Sequence, residues 1–440
     1  MKRALSVPRR WRALALGTAL ALTLAANVRG AAAAADEQPL SAGEPLLPAD
    51  REVAAVLSQS PAWRAASQSI AAEQEARRQA LVGPHEWVGS MGAAQRRIRD
   101  ASPGNTIEWE AGLERTLRRP GKRDAADRLG GSRVDLAQAM RSLAWREQAR
   151  ALLERYGTWL REREAARVWA EQAALLQQQA EAVAKRQRLG DAARVEQVQV
   201  EAAVAQAQAQ AIVAEGRARA AREALGRQFP LLAFPHPARL PDPPDAPAGD
   251  ADWIDAQLAQ APELEAARRE WQVAEEQLRV EQLERRPDPT VGLRVGQARD
   301  ANEQFVGVVF SIPFGGDYRA AAARAAGSRA AAASLRRDDA ERRVATDAGL
   351  RLRETQLAYR GWQRARLAQD KLEQAAQGLA RGYQLGEGTL ADVLAARRLA
   401  NEQRLGAAGA SVEAWLARWR LMLEAGQLWV ESAAAAQAGG

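Results

Sequence analysis

Hydrophobic positions along the chain follow two periods that alternate in the same order twice. Residues 51–82 and 251–285 are rich in Ala, Glu, Gln and Arg with few breakers, and read as helices. Gly83-Pro84 ends the first and Pro287 with Pro289 the second. A period of two then takes over. Val291, Leu293 and Val295 alternate with Thr290, Gly292 and Arg294. Val306, Val308, Phe310, Ile312 and Phe314 line one face of the next segment, with Gly307 and Ser311 on the other. In the first half, Ile107, Trp109, Ala111, Leu113 and Leu117 alternate with Glu108, Glu110, Gly112 and Glu114. Strands are therefore expected at about 84–94, 105–118, 289–297 and 303–314. A face this polar needs water while its opposite needs an apolar neighbour.

Pro120-Gly121 and Gly315-Gly316 end the strands, and a helical pattern then runs without proline from about 123 to 189 and from about 318 to 385. Nearly 70 residues at 1.5 Å each make roughly 100 Å, far beyond the dozen residues of an ordinary helix. Leu357, Gly361, Ala365, Ala368, Leu372, Ala375, Leu379 and Tyr383 step by three or four and recur at eleven. That spacing predicts a packing seam that is straight or slightly right-handed. Gly190 and Gly386 to Gly388 interrupt the runs before further Ala-rich helix. The reading is a helical hairpin at 123–229 with its tip near 190, and another at 318–430 with its tip near 386.

The order itself is repeated. Ser60-Pro61-Ala62-Trp63 aligns with Ala261-Pro262-Glu263-Leu264, Val88-Gly89 with Val291-Gly292, Gly112 with Gly307, and Leu189-Gly190-Asp191 with Leu385-Gly386-Glu387. The copies span 51–229 and 251–430. Seven of the chain's 19 prolines fall in the intervening linker, 230–250. Residues 36–50 form an N-terminal extension and 431–440 a flexible tail.

Charge enters the picture through its placement. Of the 62 basic residues, six lie in the first 35 positions (Lys2, Arg3, Arg9, Arg10, Arg12 and Arg29), where there is no acid. Without them 56 basic side chains face 55 acidic ones, so the formal net charge of +7 gives no argument for nucleic acid. The same segment has an apolar run from Ala13 to Val28 and small residues at Ala31 to Ala35, the pattern of a cleaved export signal over 1–35. After it no stretch of 18 apolar residues follows, so no transmembrane helix is expected. The absence of cysteine excludes disulfides, thiolate metal sites and a cysteine nucleophile. No nucleophile elbow, P-loop, zinc-protease or dinucleotide fingerprint is present, so no enzyme activity and no cofactor are expected. The two histidines, His85 and His236, are too dispersed to make a metal site. Four ten-residue strands in an exported chain cannot close a barrel. They must be shared with other copies, three of which would supply twelve strands, or the chain stays out of the membrane as a periplasmic adaptor-like coiled coil.

At this point the chain resembles the TolC family of outer-membrane efflux channels. The resemblance rests on Arg286-Pro287-Asp288-Pro289-Thr290-Val291-Gly292, Phe310-Ser311-Ile312-Pro313-Phe314-Gly315-Gly316 and Leu385-Gly386-Glu387-Gly388-Thr389-Leu390-Ala391-Asp392-Val393-Leu394, in order within a duplicated frame. Gly121-Lys122-Arg123 resembles an element of the branch that exports heavy-metal cations with resistance-nodulation-division pumps. The resemblance implies a mainly α protomer with four transmembrane strands, forming a homotrimer with a 12-stranded barrel in outer-membrane lipid and a periplasmic helical tunnel. It implies an inner-membrane pump and a periplasmic adaptor as partners, in a Gram-negative cell. It also implies a tunnel entrance at the tips, near Gly190, Asp191, Glu196, Gly386, Glu387, Gly388 and Asp392.

Asp392 matches an acidic position of that entrance, Glu196 is its counterpart in the first copy, and Ala395 stands where a second acid is expected. These two carboxylates form an entrance ring or are simply solvated. Val306, Val308, Phe310 and Ile312 are expected on the lipid side of the barrel. Glu108, Glu110 and Glu114 face its lumen or a solvated rim. Trp87 and Trp109 join an interfacial aromatic girdle or pack ordinarily. Arg115, on the apolar face, belongs near the membrane boundary.

Overall fold

The computed structural model describes residues 46–98, 104–235, 237–249, 251–298, 303–314 and 316–431. The expected export signal 1–35, most of the expected 36–50 extension, the residues after 431, Gly315 and His236 lie outside the described residues. Helices α1 (Asp50–Leu57) and α2 (Pro61–Val82) lead into strands β1 (Trp87–Ile98) and β2 (Gly104–Thr116), then helices α3 (Lys122–Arg188) and α4 (Arg194–Gln228). The second half gives α5 (Ala251–Gln260), α6 (Pro262–Glu284), β3 (Thr290–Ala298), β4 (Glu303–Ser311), α7 (Asp317–Gln384) and α8 (Leu390–Glu424). The long helices match, 67 residues in α3 and 68 in α7, with 35 in each returning helix. Pro opens both α2 and α6, where its missing N–H costs nothing.

The four strands make one antiparallel sheet in sequence order, with β1 and β4 at its edges. The joint between the halves is the β2–β3 ladder, extended by a bond from the Leu117 N–H to the Pro289 carbonyl (2.8 Å) and by Thr116 Oγ1 against Thr290 Oγ1 (2.9 Å). The Gly121-Lys122-Arg123 element sits at this joint. Lys122 is almost fully buried, with its ammonium 2.8 Å from Glu284 and 3.1 Å from Asp288, and Asp288 also accepts the Arg119 N–H (2.9 Å). One residue group thereby fixes the start of α3 to the end of α6, an architectural role.

The main core lies where α1, the middle of α3, the ends of α4 and α8 and the linker meet. Trp145, Tyr156, Trp159, Phe234, Trp415, Trp419 and Trp429 pack there, with Tyr156 stacked on Phe234 at 4.9 Å between centroids. The linker runs extended across the helices. The Trp415 indole donates to the Pro241 carbonyl (3.1 Å), Gln356 to Pro247 (3.2 Å), and Arg366 pairs with Asp242 (3.0 Å). Tyr359 also donates to Asp245.

Three expectations differ from what is observed. Strand β1 runs Trp87–Ile98, four residues past its expected end at 94, because its pairing with β2 continues to Gly104. Strand β4 stops at Ser311, so Ile312 and Phe314 fall beyond the sheet; Ser311 pairs with Thr290, the first residue of β3, and the partner strand has no further residue to offer after Pro289. On α7 the predicted seam holds only in part: Tyr383 is buried and Ala365, Ala368 and Leu372 are half-buried, but Gly361 and Ala375 are exposed. Leu357 and Leu379 are exposed, while Thr355, Trp362, Ala376 and Tyr383, separated by multiples of seven, are buried. A seven-residue stripe is the left-handed arrangement, and it faces α8 of the same chain.

Candidate functional site

The sheet separates its side chains by chemistry. Register places Trp87, Arg115, Val291 and Phe310 in one row of one face. The rows that follow are Gly89, Leu113, Leu293 and Val308; then Met91, Ala111, Val295 and Val306; then Ala93, Trp109, Gln297 and Gln304. First and last rows are six residues apart, roughly 20 Å along a strand. The apolar side chains of this face are open to solvent in the single chain: Met91 is 90% exposed, Val308 81% and Val306 76%. At one end the Arg115 guanidinium lies 5.4 Å above the Trp87 ring and donates to the His85 carbonyl (3.1 Å). At the other, the Trp109 indole donates to Gln297 (3.2 Å). Both tryptophans therefore mark limits of the apolar rows, each with a polar partner.

Glu108, Glu110 and Glu114 occupy the opposite face. Arg96 reaches Glu108 (3.1 Å) and Arg294 reaches Glu114 (3.5 Å), so two of the three carboxylates carry a cross-strand counter-charge. Neither arginine was singled out from the sequence, because strand register decides which side chains meet.

At the other extreme of the long helices, both hairpins turn through one device. Gly190 and Gly386 have φ of +81° and +83°, the left-handed region that side chains avoid. The Asp191 N–H bonds the Arg186 carbonyl (2.9 Å), and the Glu387 N–H bonds that of Gly382 (2.8 Å); Gly190 and Gly386 bond Gln187 and Tyr383 in parallel. This pair of bonds closes the last helical turn and fixes the chain reversal.

The two tips differ at the N-cap, and with it in what the acid three residues on does. In the second copy Thr389 caps α8 and Asp392 returns the bond, its carboxylate accepting from the Thr389 N–H (3.3 Å) and hydroxyl (2.7 Å). In the first copy the N-cap is Ala193, which has no side chain to offer, and Glu196 points elsewhere. It accepts the Tyr383 hydroxyl at 2.7 Å, across from one hairpin to the other. Arg186 lies 4.9 Å from the Tyr383 ring and pairs with Asp191 (3.1 Å). Val183, Val200, Leu390 and Val393 enclose the Tyr383 ring. Burial, then the Glu196 carboxylate, pushes the Tyr383 phenol up to about 12. The Thr389-to-Asp392 spacing is a capping-box signature readable in the sequence; Tyr383 was marked only as a seam position, and Arg186 gave no local signal.

Among the described residues no group of three or more His, Asp or Glu side chains is arranged to hold a metal ion, and no helix is long and apolar enough to cross a membrane. Neither statement concerns a β-barrel.

No family model matches the sequence, and no curated relative is found for it. Solved structures do match. The outer membrane protein VceC from Vibrio cholerae superposes with a TM-score of 0.69 at 16% identity, covering 86% of this chain and 96% of that one. The open state of the Neisseria gonorrhoeae MtrE outer membrane channel gives 0.67 at 16% identity, over 88% and 91%. CusC, described in terms of transmembrane channel formation, gives 0.64 at 14%, over 88% and 94%. The chain therefore has the TolC-like fold of these outer-membrane channels.

Proposed function

We propose that the chain is the outer-membrane conduit of an efflux system, a passive homotrimer that receives cargo from an inner-membrane pump through a periplasmic adaptor. One observation carries this reading: among the described residues the sheet has an apolar face open to solvent, a charged opposite face and two edge strands, β1 and β4. Open edges are not tolerated in lipid, so β1 of one copy must pair with β4 of the next. Three copies close twelve strands with Val306, Val308 and Phe310 toward lipid and Glu108, Glu110 and Glu114 toward water. The exposed stripe of Leu350, Leu357 and Leu379 on α7 fits the same assembly, since it faces away from α8 and awaits a neighbouring helix. The tips near Gly190 and Gly386 are then the tunnel entrance, closed by the Tyr383–Glu196 link and opened by moving one hairpin against the other.

Heavy-metal cations are the favoured cargo, drawn by carboxylates at the entrance and lumen. The Gly121-Lys122-Arg123 element supports that cargo less directly, because Lys122 is committed to Glu284 and Asp288. Membrane fractionation tests the channel reading: a heat-sensitive trimer in the outer-membrane fraction that conducts in planar bilayers supports it. Recovery as a soluble periplasmic species overturns it in favour of an adaptor-like coiled coil. Cargo is tested by comparing copper or zinc tolerance with dye tolerance in cells lacking the gene.

A further inference from the structure

Within one chain the long helices lie side by side in the order α4, α3, α8, α7: α4 packs on α3, α3 on α8 and α8 on α7. The sheet has the same order, with β2 paired to β3 inside and β1 and β4 at the edges. Each layer joins the two halves of the repeat once and leaves the matching elements, β1 and β4 or α4 and α7, at its outer sides.

The repeat identifies what those outer helices lack. Helix α3 ends at Arg188 and α7 at Gln384, while α4 starts at Arg194 and α8 at Leu390, so both helices of a hairpin align at one offset, 384 − 188 = 390 − 194 = 196. At the α3–α8 joint Glu154 pairs with Arg420 (3.3 Å), Arg161 with Glu413 (3.5 Å) and Glu171 with Arg404. Adding 196 to the three α3 positions gives Leu350, Leu357 and Leu367 on α7, all exposed. The leucines stand where α3 presents a side chain to a helix of the other hairpin. Subtracting 196 from the α8 positions gives Ala224, Arg217 and Gln208 on α4, exposed as well. With leucine on one side no ion pair forms, but leucine packs on alanine, on glutamine or on the apolar stem of an arginine.

We propose that α7 of one copy packs on α4 of the next through this counterpart of the α3–α8 joint, with Leu357 against Arg217 at its centre. The joint between copies is then apolar where the joint inside the chain is ionic. The partner is a second copy of this chain because the two faces match each other and not themselves, and a head-to-tail contact of that kind closes into a ring. The same rotation brings β4 beside β1, so one operation completes both layers. This inference rests on the channel reading and names the surface that holds the copies together.

The chain has no cysteine, so introduced thiols report alone. The full-length double variant Leu357→Cys with Arg217→Cys, treated with a short bis-maleimide in outer membranes, should yield covalent dimers and trimers, and neither single variant should. Arg161→Cys with Glu413→Cys shows that the reagent spans such a joint, since it should bridge α3 to α8 within a chain and change gel mobility without adding a subunit. In parallel, Leu357→Arg sets two guanidinium groups together, whereas Leu357→Glu pairs with Arg217. The first should release its subunits in detergent roughly tenfold faster than the second, the effect of a surface charge pair repeated at three joints, and adding Arg217→Glu should reverse the order. Positions 217 and 357 are exposed, so these variants leave the core intact. Trimers that are not linked through 357 and 217 while the control is bridged, or equal release by the two Leu357 variants, overturn the proposal and leave the channel reading standing. Absence of any trimer overturns both. Should the control not be bridged, the release rates decide.

Discussion

The link between Tyr383 and Glu196 makes the strongest quantitative demand on the proposed function. Tyr383→Phe removes the hydroxyl and little else, because the ring stays enclosed by Val183, Val200, Leu390 and Val393 and beneath Arg186. The lost bond is 2.7 Å long and has a carboxylate acceptor, a kind worth about 1.5–3 kcal/mol; with Glu196 only half-buried, the lower figure of about 1.5 applies. Three copies opening together would lose about 4.5 kcal/mol, a shift in the closed-to-open ratio on the order of a thousandfold. Copies opening independently would each shift only about tenfold. Single-channel recording separates the two, since concerted opening gives one large conductance step and independent opening three smaller ones. The wild-type channel should also respond to alkali. The neutral phenol makes the link, and its pKa is about 12 in the fold against an ordinary value of about 10. The contribution is therefore whole below pH 10 and is lost as pH rises through 12, so wild-type opening should increase over that window while Tyr383→Phe stays flat. An open probability in Tyr383→Phe equal to wild type at neutral pH would refute the role of this link in closure.

Three other substitutions test separate parts of the structure. Asp392→Ala removes both a charge and a helix cap worth about 1 kcal/mol, whereas Asp392→Asn keeps the cap; reduced cation selectivity in both, measured by reversal potential, identifies the charge as the cause. Gly157→Ala would place a Cβ 2.4 Å from Leu416 Cδ1 and 3.0 Å from its Cγ, inside the main core; overpacking of this kind costs about 1–3 kcal/mol, and a lower denaturation midpoint should show it. Lys122→Met should destabilise by about 2 kcal/mol. That is less than a fully buried broken pair costs, because Arg319 stays 3.5 Å from Glu284 and the Arg119 N–H stays on Asp288. Its metal tolerance should equal that of wild type once protein levels are matched.

What could be read from the sequence was whatever local chemistry decides. The absence of proline between Arg123 and Leu189 allowed a 67-residue helix, and alternation around Leu113 and Val308 sorted two faces of a sheet. The tip glycines announced the reversals because no other residue accepts that φ cheaply. Features set by a distant partner were out of reach. Alternation from Val306 to Phe314 continued on paper past Ser311, but the strand ends where its partner ends, and that limit is written at Pro289. Part of the α7 seam was misassigned for a related reason. Two apolar stripes share that helix, and periodicity cannot say that the one through Trp362 meets α8 while the one through Leu357 is left open.

Glu196 and Asp392 carry the point furthest. They occupy one position of the repeat and share a charge, which favoured one role for both. The N-cap three residues earlier, Ala193 against Thr389, distinguishes their roles: with a capping hydroxyl the carboxylate folds back onto its own helix, and without one it is free to reach across to Tyr383. The two tips share one turn, and the missing capping side chain in the first copy leaves it a group that can hold the second. Introducing the cap with Ala193→Thr should set Glu196 in competition between its own helix end and Tyr383, and weaken the link without altering any residue that makes it.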